Sequence, residues 1–157
     1  MNPIPPTQLD PLTMPLSGLQ VIEASAGTGK TFTLAALYVR LVLGHGSAGQ
    51  GRPALYPPQI LVMTFTDAAT SELRDRVRHR LAEAAHYFKS LDGAASQADS
   101  FLQALRQSYD PADWSACAQR LDMAAQWMDD AAIFTIHGWS SRMLKTHAFD
   151  SASLFQQ

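Results

Sequence analysis

Ile22-Glu23-Ala24-Ser25-Ala26-Gly27-Thr28-Gly29-Lys30-Thr31 stands between an apolar stretch of strand length and a long apolar helical run, and it decides the fold. Small residues from Ala24 to Gly29 let the backbone wrap closely around a polyphosphate. Gly27 and Gly29 can take dihedrals closed to other residues. The N–H groups of such a loop and of the following helical turn point at the phosphates, and the helix dipole adds to their field. Lys30 is placed to reach the β- and γ-phosphates, and Thr31 to offer its hydroxyl to Mg²⁺. The general pattern begins with Gly, and here that position is Ala24. The plainer alternative is a small-residue helix start that happens to end in Gly-Lys-Thr. Against it, strand, loop, Lys-Thr and helix all occur in the required order.

Outward from the loop, residues 19–24 (Leu-Gln-Val-Ile-Glu-Ala) read as a short buried strand. From Thr31 to Leu43 nearly every residue is apolar, which predicts a helix buried between layers, ended by Gly44 and Gly46. Ile60 to Thr64 is a continuous apolar run that suits a parallel strand covered on both faces. A helix follows from about Ala68, with Leu73, Val77, Leu81, Ala84 and Phe88 at helical spacing and Glu72 and Arg76 set as an i,i+4 pair. Residues 132–136 form a third strand, and a helix runs from about Ser140 to His147. Repeated strand–helix order predicts an α/β domain with a parallel sheet and flanking helices. The expected organisation is an extended Pro-rich lead-in over 1–18 and one domain over 19–157, with 90–130 a helical insertion.

Composition bounds the alternatives. With 157 residues and 46% hydrophobic content, the chain can build one real core. A net charge of −2 argues against a dedicated basic nucleic-acid module while allowing a local basic stripe. The single cysteine, Cys117, excludes an internal disulfide, suits a reducing cytoplasm and reads as a bystander in a polar helical stretch. No apolar run reaches the roughly 18 residues of a membrane span, and no secretory signal is visible at the N-terminus, so no membrane partner is expected.

Two further groups sit where strands end, the edge at which ligands lie in open α/β sheets. Thr64-Phe65-Thr66-Asp67 either stacks on a base and bonds a phosphate, or supplies a buried Phe65 with Thr66 as helix N-cap. His137-Gly138-Trp139 offers the same pair of readings, with His137 on a phosphate and Trp139 stacking, or a purely structural histidine. Arg74, Arg76, Arg78 and Arg80 spread around a helix and read as a solvated face. His45, His79, His86 and His147 lack metal-ligand spacing and read as surface residues. No Ser/His/Asp or Cys/His nucleophilic grouping stands out.

Three segments together resemble the UvrD/Rep-type superfamily 1 DNA helicases. Ala-Ser-Ala-Gly-Thr-Gly-Lys-Thr at 24–31 is similar to their first motif. Ile-Leu-Val-Met-Thr-Phe-Thr-Asp at 60–67, continuing to Val77, is similar to motif Ia. Thr-Ile-His-Gly-Trp at 135–139, with Arg142 and Leu144 behind it, is similar to motif Ib. The resemblance implies a RecA-like P-loop domain using ATP and Mg²⁺. It implies nucleotide contacts from Ala24, Ser25, Ala26, Gly27, Thr28, Gly29, Lys30 and Thr31, with Lys30 and Thr31 catalytic. It also implies single-stranded DNA contacts from Thr64, Phe65, Thr66, His137 and Trp139. Its members closest in pattern act on DNA ends beside RecC- and RecD-like subunits. The family's later Asp-Glu motif is absent before Gln157, so the expectation is an N-terminal fragment of a longer helicase without turnover of its own. Two rivals are a self-contained small P-loop kinase or ATPase, with Asp67 its one candidate carboxylate, and a non-catalytic nucleotide- or DNA-binding module.

Overall fold

The computed structural model describes residues 7–23, 29–46, 52–90 and 98–152. The phosphate-loop residues Ala24, Ser25, Ala26, Gly27 and Thr28 lie outside the described residues.

The element that organises the molecule is α2 (Asp67–Lys89). Its periodic apolar residues Leu73, Val77, Leu81, Ala84 and Phe88 are all buried, as their spacing predicts. Its polar side carries the expected Glu72–Arg76 pair at 3.3 Å. Thr66 caps its start, the Oγ1 accepting from the Ala69 N–H at 3.1 Å. The buried side of α2 packs chiefly on α4 (Trp114–Gln126) and then on α1 (Lys30–Leu43). Leu121, Ala118 and Ala124 of α4 and Ala36, Val39 and Val42 of α1 close the same core. Burying each Leu or Val contributes about 1.5–3 kcal/mol relative to exposure.

Gly44 ends α1 in the left-handed conformation, donating its N–H to the Arg40 and Leu41 carbonyls. One side of α1 stays open, however, with Phe32 and Leu34 exposed. The expectation of a helix covered all round is therefore corrected.

The sheet is small. β1 (Val62–Thr64) and β2 (Ile133–Thr135) pair in parallel, with Val62 opposite Ile133, Met63 opposite Phe134 and Thr64 opposite Thr135. Ile133 is buried, while Leu61 and Met63 are exposed, so β1 is covered on one face rather than two. Residues 19–23 take no strand, and Leu19 and Val21 are 90% and 77% exposed. An isolated strand leaves its backbone groups unpaired, and among the described residues β1 has only β2 as a hydrogen-bonded neighbour.

Residues 98–130 are largely helical. They comprise α3 (Ser100–Gln107), a 3₁₀ turn at Pro111–Asp113, α4, and a second 3₁₀ turn at Trp127–Asp130. Asp99 caps α3 through the Leu102 N–H at 3.0 Å. Cys117 is buried in α4, and burial raises its thiol pKa.

Asp10 holds a turn, its carboxylate accepting from the Leu12 N–H and the Thr13 hydroxyl, each at 3.0 Å. The turn is then tied to α1 by Arg40, which is buried and donates Nη1 to the Pro11 and Met14 carbonyls at 2.9 and 2.7 Å.

Candidate nucleotide and nucleic-acid interface

Lys30 and Thr31 form the first turn of α1, directly after Gly29. Gly29 occupies the N-cap with φ 84° and ψ 27°, a conformation that favours glycine. No side chain caps this end, and no acid lies in its first turn. Its leading N–H groups therefore lack the side-chain partner that α2 and α3 possess. An uncapped, acid-free helix start beside an exposed Lys30 fits an anionic phosphate group, and Thr31 brings a hydroxyl suited to Mg²⁺. Among the described residues no group of three or more His, Cys, Asp and Glu is placed to hold a metal.

Phe32 fixes this turn against α2: the Arg80 guanidinium lies 4.9 Å from its ring centroid. Between the two helices runs a cleft of about 460 Å³, lined by Thr31, Phe32 and Ala35 on one side and Asp75, Arg76, His79, Arg80 and Glu83 on the other. Reading the sequence alone missed this cleft. Its charged wall is visible in the α2 sequence, but its pairing with Thr31 follows only from how α1 and α2 pack.

The sheet brings the other two motifs together. Thr64 and Thr135 are direct partners in the parallel register, so the segments that follow leave the same edge. After Thr64, Phe65 is 89% exposed, which removes the buried reading of its ring. Thr66 beside it does act as the N-cap of α2. Thr64 serves the same turn, its Oγ1 within 2.5 Å of Thr70 Oγ1 and donating to the Thr66 carbonyl at 3.2 Å. Both threonines thus have structural partners, and the Phe65 ring has none among the described residues and stands open to solvent.

After Thr135 the chain turns at once into α5 (Ile136–Ala152). Thr135 Oγ1 accepts from the Gly138 N–H at 2.9 Å, which caps the helix from inside the strand. The helix thus starts at Ile136 rather than near Ser140, and His137-Gly138-Trp139 is its first turn. His137 is exposed and Trp139 half-buried.

The arginine-rich side of α2 is mostly engaged, contrary to the expectation of a solvated face. Arg74 reaches the Ile133 carbonyl at 3.4 Å. Arg78 pairs with Asp75 and, at 2.6 Å, with Asp129. Arg80 is buried, with Glu83 at 2.9 Å and Asp99 at 2.6 Å. Only Arg76 is freely solvated, beside Glu72. His45 is also more than a surface residue. Its Nδ1 accepts from Arg40 Nε at 3.0 Å, its Nε2 lies 3.2 Å from Ser108 Oγ, and burial followed by the Arg40 charge lowers its pKa.

The chain matches the UvrD/REP helicase N-terminal domain over residues 5–156. It is 48% identical over 150 residues to the RecBCD enzyme subunit RecB of Escherichia coli (strain K12), covering 95% of this chain and 12% of that protein. Against the RecB subunit of Haemophilus influenzae the identity is 44% over 151 residues, with 94% and 12% covered. Against that of Mycobacterium tuberculosis it is 36% over 126 residues, with 80% and 10% covered. The chain thus spans about one eighth of the length of the relatives it matches most extensively.

Proposed function

The chain belongs to the UvrD/REP helicase N-terminal domain family, and from that premise we propose that it is the ATP-binding part of a RecB-like DNA helicase. In this reading residues 19–157 are part of a RecA-like P-loop motor domain, 1–18 its lead-in and 90–130 a helical insertion. The intact protein would couple ATP hydrolysis to movement on DNA at double-strand ends, beside RecC- and RecD-like subunits in the cytoplasm, in break repair and recombination. Among the described residues no helix is long and apolar enough to cross a membrane.

One observation supports the reading above others. Two segments distant in sequence, Thr64-Phe65-Thr66 and Thr135 to Trp139, leave one sheet edge in register, with Phe65 and His137 open to solvent. A single strand laid across that edge would stack a base on Phe65, with Trp139 as a second aromatic and His137 within the reach of a phosphate. The nucleotide belongs at the other element, with Lys30 on its phosphates and Thr31 on Mg²⁺. When bound, Mg²⁺ would neutralise charge on the phosphate oxygens. The protein's part there is positional and electrostatic: the uncapped α1 start holds the phosphates and Lys30 offsets their charge.

Phe65→Ala separates this reading from a structural one. Base–aromatic stacking is worth roughly 1–3 kcal/mol per base, so affinity for single-stranded DNA should fall while affinity for Mg-ATP and the melting temperature hold. A joint fall in both affinities together with stability would return Phe65 to a structural role and remove the DNA reading of this edge.

A further inference from the structure

We propose that Arg80 is a positioning residue for the nucleotide site: through Phe32 it holds the first turn of α1, and through Phe101 and Asp99 it ties that turn to the start of α3. The proposal rests on the reading of Lys30 and Thr31 as the partners of phosphate and Mg²⁺, and deepens it.

Three helices meet at this side chain. From α2, the Arg80 guanidinium lies 4.9 Å from the Phe32 ring centroid and 5.5 Å from that of Phe101. Phe32 directly follows Thr31 in the first turn of α1, and Phe101 stands in the first turn of α3. Glu83 lies 2.9 Å from Nη1, and Asp99 Oδ2 lies 2.6 Å from Nη2. Asp99 uses its other oxygen, Oδ1, to accept from the Leu102 N–H as the cap of α3. One cation thus touches a ring from each of two helix starts, and carboxylates of α2 and of the α3 cap hold it there. Arg80, Thr31 and Phe32 line the same cleft.

Stability alone does not account for an arginine here. Arg80 is buried, yet its Nε and Nη2 make no hydrogen bond among the described residues, Nη2 meeting Asp99 as an ion pair only. A buried cation with unmet donors is costly, and an apolar side chain of similar volume often serves a core as well or better. What arginine adds is a cation that rests against rings while its N–H groups pair with acids. The start of α1 needs such a hold. No side chain caps it, and its described backbone bond at that point runs from the Thr33 N–H to the Gly29 carbonyl at 2.9 Å. A first turn that frays must be ordered when phosphate binds, and that ordering costs affinity. With Phe32 anchored, Lys30 and Thr31 on the same turn are ordered in advance.

The experiment pairs calorimetric titration of Mg-ATP with urea denaturation. It compares the parent chain with Arg80→Met, Arg80→Lys, Phe32→Leu, the double variant Arg80→Met/Phe32→Leu, Asp99→Asn and Lys30→Ala. Arg80→Met should bind about 3- to 10-fold more weakly, the range of a cation–π contact, and Arg80→Lys should recover part of that loss. Phe32→Leu should lose a similar factor, and Arg80→Met should cost nothing further in its presence, because both act through one contact. Asp99→Asn keeps an N-cap acceptor for α3 and should still weaken binding. The losses should not follow the urea midpoints. Parent-like affinity in Arg80→Met or Phe32→Leu, beside a loss in Lys30→Ala, overturns the positioning role and leaves the phosphate reading standing. Should Arg80→Met lack a cooperative urea transition, Phe32→Leu decides, since its ring is 46% exposed and its replacement leaves the core intact. Parent-like affinity in Asp99→Asn overturns the tie to α3. Parent-like affinity in Lys30→Ala, or no binding by the parent, removes the phosphate reading and the proposal with it.

Discussion

At Gly44 the backbone has φ +69°, and an added Cβ would lie 2.6 Å from the Arg52 carbonyl oxygen. Replacement by Ala therefore meets both left-handed strain and a backbone clash. Gly44→Ala should lower stability by about 1–3 kcal/mol in urea denaturation, and a loss within error would contradict the described turn. His45 gives a pH prediction. Its folded-state pKa is lowered by burial and by Arg40, so the folded state favours the neutral ring more than the unfolded chain does. That contribution is complete well above the unfolded value of about 6.5 and is lost as pH falls through it towards the lower folded value. His45→Gln can still accept from Arg40, so its stability should fall less than the parent's between neutral and mildly acidic pH. Identical pH profiles would show that the ring does not carry the effect. Such roles were hard to read in the sequence. Arg40, Arg80 and Arg106 resemble ordinary surface cations there. What buries them is remote: the Pro11 and Met14 carbonyls, Asp99, and for Arg106 the Trp114 ring at 3.8 Å with the Tyr87 and Ser90 carbonyls. The signal that singles out Lys30 and Thr31 is, by contrast, local: Gly29 before them and an apolar helical run after them.

Among the elements, α2 was the most legible, since five apolar residues at helical spacing leave one face to bury. Leu81 lies fully buried on it, so Leu81→Ala should cost about 2–5 kcal/mol by chemical denaturation. A loss under about 1 kcal/mol would mean that α2 is not the central helix. Removing the cap by Thr66→Ala should cost about 1 kcal/mol. The two strands were found within a residue or two because each is a short apolar run ended by Thr. The start of α5 was missed because its cap, Thr135, belongs to the preceding strand. The expected strand at 19–24 does not form over its described residues 19–23, for another reason. Apolar composition gives a strand something to bury, but it takes its hydrogen bonds from a neighbour, and sequence pattern does not name that neighbour. Leu19 and Val21 stand exposed accordingly.

For the whole molecule, the parallel pairing of β1 with β2 and the helices around it were foreseeable in kind, while the size of the sheet was not. Apolar side chains remain open on several elements: Leu34 on α1, Leu61 and Met63 at β1, Leu144 on α5. Exposed apolar surface of this kind favours association, so the isolated chain should self-associate as concentration rises in analytical ultracentrifugation, and Leu61→Glu/Met63→Lys should reduce it. The isolated chain should also release phosphate slowly, without stimulation by single strands, because phosphoryl transfer needs a water-positioning carboxylate and a charge-stabilising arginine beyond Lys30 and Thr31. Steady-state phosphate release with and without DNA checks this, and brisk DNA-stimulated turnover would show the machinery to be complete in these residues. The most direct test of the nucleotide site is calorimetric titration of Mg-ATP into the parent and Lys30→Ala. Charge-assisted bonds of this type are worth roughly 1.5–3 kcal/mol, so the variant should bind about 10- to 100-fold more weakly with its fold intact. Equal affinity in the two proteins would mean that the start of α1 does not hold the phosphates.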